Sequence, residues 1–332
     1  MGGSGGRAAL RVLRIDDGRL EVAERPTPEP AGEQVLVEVA GTGVNRADLL
    51  QKMGRYPAPK GWPEDVPGLE HAGTVAAVGD GVRSLRPGDR VFGIVGGGGH
   101  ASHVLTTESL CARLPEGLDP VRAGGIPEAY ITAHDALFER ARMRPGERVL
   151  IHGVGSGVGI AALQIARAAG ATTVGTSRTL AKLERATQLG LDEGVLAADD
   201  MAALIGEVDV VIDLIGGDYL EVDVSTCRIA GRIVIVGLVA GARAQLDMGA
   251  VLSKRLQVTG TALRSRPEHA KGAAVAAFER EVVPLFERGV LDLVVDRVVG
   301  LEEAEGAYAA MASNETFGRI ILAPHDLVAK RA

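Results

Sequence analysis

The stretch His152-Gly-Val-Gly-Ser-Gly-Val-Gly159 decides how the rest of the chain is read. It follows the apolar run at 149–152 and precedes the helical pattern at 160–169, so five glycines or small residues sit in a strand-to-helix turn. Glycines there let the backbone turn tightly and bring N–H groups at a helix start close to a pyrophosphate. Gly153, Ser156, Gly157, Val158 and Gly159 are therefore the candidate cofactor turn. The spacing departs from a strict G-x-G-x-x-G, because position 158 is Val, and taken alone such a turn can be only a turn.

The flanks decide between these readings. Near-continuous apolar runs at 172–176, 208–215, 232–238 and 256–263 alternate with helical patterns, including a charged amphipathic one at 179–189. Runs of that kind are strands of a parallel sheet covered on both faces, a doubly wound α/β unit. Before residue 124 the rhythm differs: strands at 10–15, 34–39, 72–78 and 90–94 are punctuated by Pro-Glu-Pro, Val-Gly-Asp-Gly and Arg-Pro-Gly-Asp turns. That is a smaller β-rich unit. After Pro267 the pattern predicts one long helix over 270–288, then strands at 294–299 and 318–322. The expected organisation is a split β-rich domain at 7–123 and 266–332 around a nucleotide-binding domain at 124–265.

The end of the second strand of the series addresses the cofactor. NAD sites usually place a carboxylate there, about 20 residues past the glycines, to bind the ribose 2′-hydroxyl. Here the chain reads Gly175-Thr-Ser-Arg-Thr179 with Lys182 one turn on, and no acid. Ser177, Arg178 and Lys182 suit a 2′-phosphate, since Arg grips phosphate bidentately, and NADPH is expected. The structural alternative is that Arg178 and Lys182 are a solvated helix start.

Composition narrows the class. At 332 residues the chain is long enough for two cores, with 46% hydrophobic residues, 3% aromatics and a formal net charge of −7. An acidic chain without a basic run is a poor phosphate-tracking nucleic-acid binder. No apolar run reaches the roughly 18 residues of a membrane span. Two cysteines, Cys111 and Cys227, read as reduced thiols, and a cytoplasmic location is expected. The Gly-rich start at 1–6 lacks the pattern of a signal peptide.

Several further stretches carry a family resemblance. Gly41-Thr-Gly-Val-Asn-Arg-Ala-Asp48, Gly54-Arg-Tyr-Pro57, Pro67-Gly-Leu-Glu-His-Ala-Gly73 and Pro87-Gly-Asp-Arg-Val91, with the Gly157-Val-Gly159 turn, resemble zeta-crystallin-like quinone oxidoreductases of the medium-chain dehydrogenase/reductase family. Ile126-Pro-Glu-Ala-Tyr-Ile-Thr132, Ile215-Gly-Gly217, Leu263-Arg-Ser-Arg266 and Gly318-Arg-Ile-Ile321 are similar to the tumour-suppressor-inducible subgroup. The resemblance runs from residue 9 to 323. It implies a GroES-like catalytic domain, a Rossmann domain, a cofactor cleft between them, and a homodimer through the edge strand near 256–263. It also implies that Asn45 and Tyr56 line the site beside the nicotinamide, that Thr132 lies under it, and that Gly237 belongs to the cofactor set.

Zinc forms of the family carry Cys where Asn45 stands and His where Leu69 stands, and a four-Cys lobe where this chain has Gly96–Gly99; no metal site is expected. His71, His100, His103 and His134 show no ligand spacing. His100 and His134, which replace tyrosines of relatives, are expected to line the substrate site, although a loop histidine is more often simply solvated. Hydride transfer to a conjugated carbonyl needs positioning and polarisation of the acceptor oxygen. Asn45 offers an amide donor, and Tyr56 offers a ring to stack on and a phenolic proton. The expected function is an NADPH-dependent quinone or enone reductase acting on a small molecule. An enoyl reductase of a biosynthetic pathway and an NADPH-binding sensor or structural protein with little turnover are the alternatives, separable by NADPH consumption with quinone and enone panels.

Overall fold

The computed structural model describes residues 9–198 and 200–325; the Gly-rich start falls outside them. Two compact units emerge. One comprises the described residues through Glu128, Arg264–Glu287 and those from Val295 onward, and the other is Ala129–Leu263 with Arg288–Val294.

The second unit is built on a six-stranded sheet in the order Glu193–Leu196, Thr172–Ser177, Arg148–Ile151, Val208–Asp213, Cys227–Ile235 and Gln257–Gly260. Every neighbouring pair is parallel. The centre of the sheet is buried because its strands have almost nothing polar to turn outward: Val149, Leu150, Ile151, Val210, Val211 and Ile212 are all 0% exposed. The edge strands Glu193–Leu196 and Gln257–Gly260 are largely exposed. Each such side chain contributes about 1.5–3 kcal/mol relative to exposure. The helix Gly157–Ala168 supplies Ile160, Leu163 and Ile165 to that core. A parallel sheet places all strand C-termini at one edge, and the candidate cofactor turn lies on that edge.

The first unit carries a seven-stranded sheet in the order Val295–Gly300, Arg319–Ala323, Gln34–Gly43, Glu70–Val78, Arg90–Ile94 and Cys111–Arg113, with His103–Thr107 also paired to Gln34–Gly43. A separate hairpin, Ala9–Asp16 with Arg19–Pro26, turns at Asp17 and Gly18, where φ is 45° and 73°. Asp-Gly is the dipeptide a tight hairpin turn of that hand requires.

The sequence pattern is corrected at one helix. Instead of one helix over 270–288, the chain forms Glu268–Glu281 and then Val283–Glu287. Pro284 has no N–H to donate back, and its ring crowds the carbonyl four residues earlier, so the first helix ends before it. The strand expected at 256–263 is shorter, Gln257–Gly260.

Candidate functional site

The candidate cofactor turn is built by close packing. Gly153 adopts φ 66°, and a Cβ on Gly159 would lie 2.5 Å from the Gly153 carbonyl oxygen. Larger residues would push the helix off the strand, which is why the sequence is glycine at these two positions. Ser156 caps the helix Gly157–Ala168, its Oγ accepting from the Gly159 amide at 3.1 Å. The amides of Gly157 and Val158, at the first turn, have no intrahelical acceptor. Gly237 is equally constrained: a Cβ there would meet the Leu214 carbonyl oxygen at 2.3 Å.

On the neighbouring strand Thr172–Ser177, Ser177 is 7% exposed and Arg178 is exposed. No acid stands at the strand end; Thr179 precedes the helix Leu180–Gln188, in which Lys182 is half-buried. Thr132 and His134 lie on the helix Pro127–His134, both buried, with the His134 ring 5.1 Å from that of Phe138.

Two supports of this turn escaped the sequence reading. Asp213, 0% exposed, accepts from the amides of Ile215 (2.8 Å) and Gly216 (2.9 Å) and so shapes the Gly216–Gly217 bend. His152 is sandwiched between Thr176 and Asp223. His152 has no local sequence signature, because its partners come from another strand and from a helix, 24 and 71 positions away. The Asp213 contacts are local, to amides two and three residues on, an Asx-type turn that Asp before Gly-Gly could have signalled.

In the other unit, Asn45 caps the helix Arg46–Lys52. Its amide nitrogen donates to Glu70 Oε1 at 2.8 Å and the Gly43 carbonyl at 3.2 Å, and its Oδ1 accepts from Arg319 Nη1 at 3.0 Å. Arg319 also pairs with Glu70 directly, and Glu70 Oε2 accepts from the Glu128 amide at 2.9 Å. Burial pushes the Glu70 carboxyl up, opposed by Arg319 and by the hydrogen bond from Asn45. His100 is 0% exposed rather than solvated: Nδ1 is 3.0 Å from the Tyr308 hydroxyl and Nε2 is 3.2 Å from the Gly43 carbonyl. Its pKa is lowered by burial. His71 is likewise 0% exposed, and neither ring nitrogen has a hydrogen-bond partner; burial lowers it to about 4.

Tyr56 is half-buried, with the Arg264 guanidinium carbon 5.0 Å from its ring centroid. Its hydroxyl makes no hydrogen bond to a described residue. Burial raises its pKa, so the phenol stays protonated and able to donate.

Comparison with known proteins agrees with this architecture. Residues 31–139 match the alcohol dehydrogenase GroES-like domain, and residues 157–280 match the zinc-binding dehydrogenase domain. The quinone oxidoreductase of Sus scrofa is 34% identical over 95% of this chain and 97% of its own length. The chain belongs to the medium-chain dehydrogenase/reductase family, in its quinone oxidoreductase branch. A component of the phenolphthiocerol/phthiocerol polyketide synthase of Mycobacterium tuberculosis is 32% identical over 95% of the chain, which spans only 15% of that protein. An alcohol dehydrogenase superfamily protein from Novosphingobium aromaticivorans superposes with a TM-score of 0.84, at 29% identity, covering 96% of this chain and 100% of the other. The family's Rossmann domain binds a nicotinamide cofactor.

The name of the second matching domain raises zinc, and the residues present do not fit it. The Asn45 amide is committed to Glu70, Gly43 and Arg319, and Leu69 is an aliphatic side chain 1% exposed. Among the described residues no group of three or more His, Cys, Asp or Glu side chains is placed to hold a metal. No helix of the described residues is long and apolar enough to cross a membrane.

Proposed function

We propose that the chain is an NADPH-dependent reductase that delivers hydride to a quinone or other conjugated carbonyl, with no zinc in the step. The observation that carries this reading is Tyr56: a ring held by Arg264, with a protonated hydroxyl that no described residue occupies. A flat acceptor can stack on that ring while the phenol polarises its oxygen as negative charge develops. Asn45, held by Glu70 and Arg319, starts the helix Arg46–Lys52 that precedes Tyr56 in the chain.

The cofactor, when bound, supplies the hydride. Gly153, Ser156, Gly157, Val158 and Gly159 would hold its pyrophosphate, and Gly237 and Thr132 the parts nearer the nicotinamide. Ser177, Arg178 and Lys182 would take a 2′-phosphate, where a carboxylate would repel it. His100, buried against Tyr308, and His134, buried beside Phe138, would each serve the acceptor side from within its own unit. The quinone reading is favoured over carbon–carbon double-bond reduction because the Sus scrofa quinone oxidoreductase matches along 97% of its length.

A homodimer completes the proposal. The strand Gln257–Gly260 is the last of its sheet, and Ile229, Met248, Leu252 and Val258 near it are 63%, 77%, 81% and 37% exposed. An open edge flanked by apolar side chains is a surface that a second copy would cover.

The test is NADPH and NADH consumption with a quinone panel and an enone panel. Quinone turnover with NADPH supports the proposal. Turnover confined to enoyl thioesters would replace it with an enoyl reductase, and binding without turnover with a sensor.

A further inference from the structure

Two cationic side chains of the GroES-like unit are buried without an anion. Arg264, 4% exposed, donates from Nε to the Gly96 carbonyl (2.8 Å), from Nη1 to the Tyr56 carbonyl (2.9 Å) and from Nη2 to Gln51 Oε1 (2.5 Å). All three acceptors are neutral. Lys271, also 4% exposed, lies in the first turn of the helix Glu268–Glu281, its ammonium 5.6 Å from the centroid of the Trp62 ring. It donates no hydrogen bond to a described residue, and neither cation forms an ion pair with one.

The acids whose fields reach the pair do not neutralise it. Asp48 spends its carboxylate on the amides of Asn45 (2.7 Å) and Gly68 (3.0 Å). Glu268 is exposed, where water screens it. Glu128 is felt by both cations, but it forms no ion pair with either, and burial together with the neighbouring Glu70 pushes its carboxyl up, disfavouring its charged form. Partial burial strips both cations of some of their hydration and lowers the pKa of each, and an anion entering beside Lys271 would supply the missing counter-charge.

The rings beside the cations are fixed. A Cβ on Gly96 would lie 2.5 Å from Trp62 Cδ1, so the loop backbone packs directly on the indole. Tyr56 is pinned by Arg264 from its face and through its carbonyl.

We propose that Lys271 and Arg264, beside the rings of Tyr56 and Trp62, form a subsite for an anionic substituent, a carboxylate or sulfonate, on a flat conjugated acceptor. Naming the ligand an acceptor rests on the reductase reading above. Lys271 makes the contact, since all its N–H donors are uncommitted. Arg264 contributes its field, its own donors being held by the loop. If Lys271 were only a strut on Trp62, its removal would alter the indole's surroundings without changing any preference for ligand charge.

Trp62 is the single tryptophan of the chain, so intrinsic fluorescence reports on this place. The full-length protein without cofactor is titrated with anthraquinone-2-sulfonate and with the neutral anthraquinone-2-sulfonamide. The sulfonate should quench Trp62 with at least tenfold tighter binding. Lys271→Met should erase that difference while leaving the sulfonamide within threefold, and Lys271→Arg should retain it. Equal binding of the two ligands to the parent protein overturns the proposal, whether or not the variants fold. A preference that survives Lys271→Met overturns it too. So does displacement of the sulfonate by saturating NADP⁺ in competition with its phosphates. Failure of the reductase reading shows separately, as absent NADPH consumption with any quinone.

Discussion

His152 Nε2 lies 2.8 Å from Asp223 Oδ1, and its Nδ1 lies 2.8 Å from Thr176 Oγ1, with both His152 and Asp223 0% exposed. With its proton on Nε2, the imidazole donates to the carboxylate and accepts from the Thr176 hydroxyl, an assignment that follows from the partners' chemistry. One side chain thereby ties the cofactor turn to the helix Tyr219–Thr226 and to the residue before Ser177. Burial raises the Asp223 carboxyl to about 6, opposed by the hydrogen bond from His152. Asp223→Ala would leave a buried imidazole N–H without an acceptor, at a cost of about 1–3 kcal/mol. Asp223→Asn keeps an acceptor oxygen and should lose less. Denaturant midpoints of the two variants check this; equal losses would mean that packing, not the hydrogen bond, is what Asp223 supplies.

On the proposed reading, Arg178 sets the choice between the two nicotinamide cofactors. Arg178→Ala should weaken NADPH by about 1–3 kcal/mol, the scale of a lost charge-assisted contact, and leave NADH unchanged. Dissociation constants for both cofactors decide the matter. Equal affinity of the parent protein for NADPH and NADH would remove the basis of the prediction.

Purified protein should contain far less than one zinc per chain, and a chelator should leave its rate unchanged. The reason is chemical: an amide engaged with Glu70 and Arg319 and a buried leucine stand where zinc relatives place two ligands. Stoichiometric zinc with chelator-sensitive turnover would reverse this.

Tyr56→Phe separates the two acceptor chemistries. A quinone needs the stacking face and can take its proton from water, so turnover should change little. An enone needs a donor as charge develops on oxygen, and the loss should be about ten- to a thousandfold. Steady-state rates on both acceptors distinguish them, and a large loss on the preferred quinone would refute the water-proton route.

His71 sets an acid limit on stability. In the unfolded chain a histidine takes its proton near pH 6.5, whereas in the fold His71 resists until about 4. The neutral ring's contribution is therefore complete above pH 6.5, falls through the window below it, and is gone under pH 4. At most about 3 kcal/mol is at stake. His71→Leu should flatten the stability profile between these limits. Parallel profiles for parent and variant, measured by denaturant titration at pH 7, 5.5 and 4.5, would show that other groups carry the acid sensitivity.

Much of the second unit was legible in the chain because local patterns suffice for it. Apolar strands such as 149–152 have no polar face to turn to water, and glycines at 153 and 159 are required by distances of a few ångströms within one turn. The broken helix after Glu281 was not foreseen, although Pro284 announces it in physical terms. The hairpin strand Arg19–Pro26 was missed for a different reason. Its residues are half-buried at best, so its alternation is weak, and only the Asp17-Gly18 turn marks it.

What the sequence determined by itself is therefore the strand–turn–helix series, the glycine turn, and the absence of an acid at the end of the strand Thr172–Ser177. Each depends on residues close together in the chain. The polar frameworks were decided by the tertiary structure: Asn45 with Glu70 and Arg319, His152 with Asp223, and the unpaired Lys271 and Arg264. Their members lie 25 to 274 positions apart where they are bonded. No local pattern can specify such pairs, since a buried charge or hydrogen bond acquires its meaning only from the groups that folding brings within about 3 Å of it.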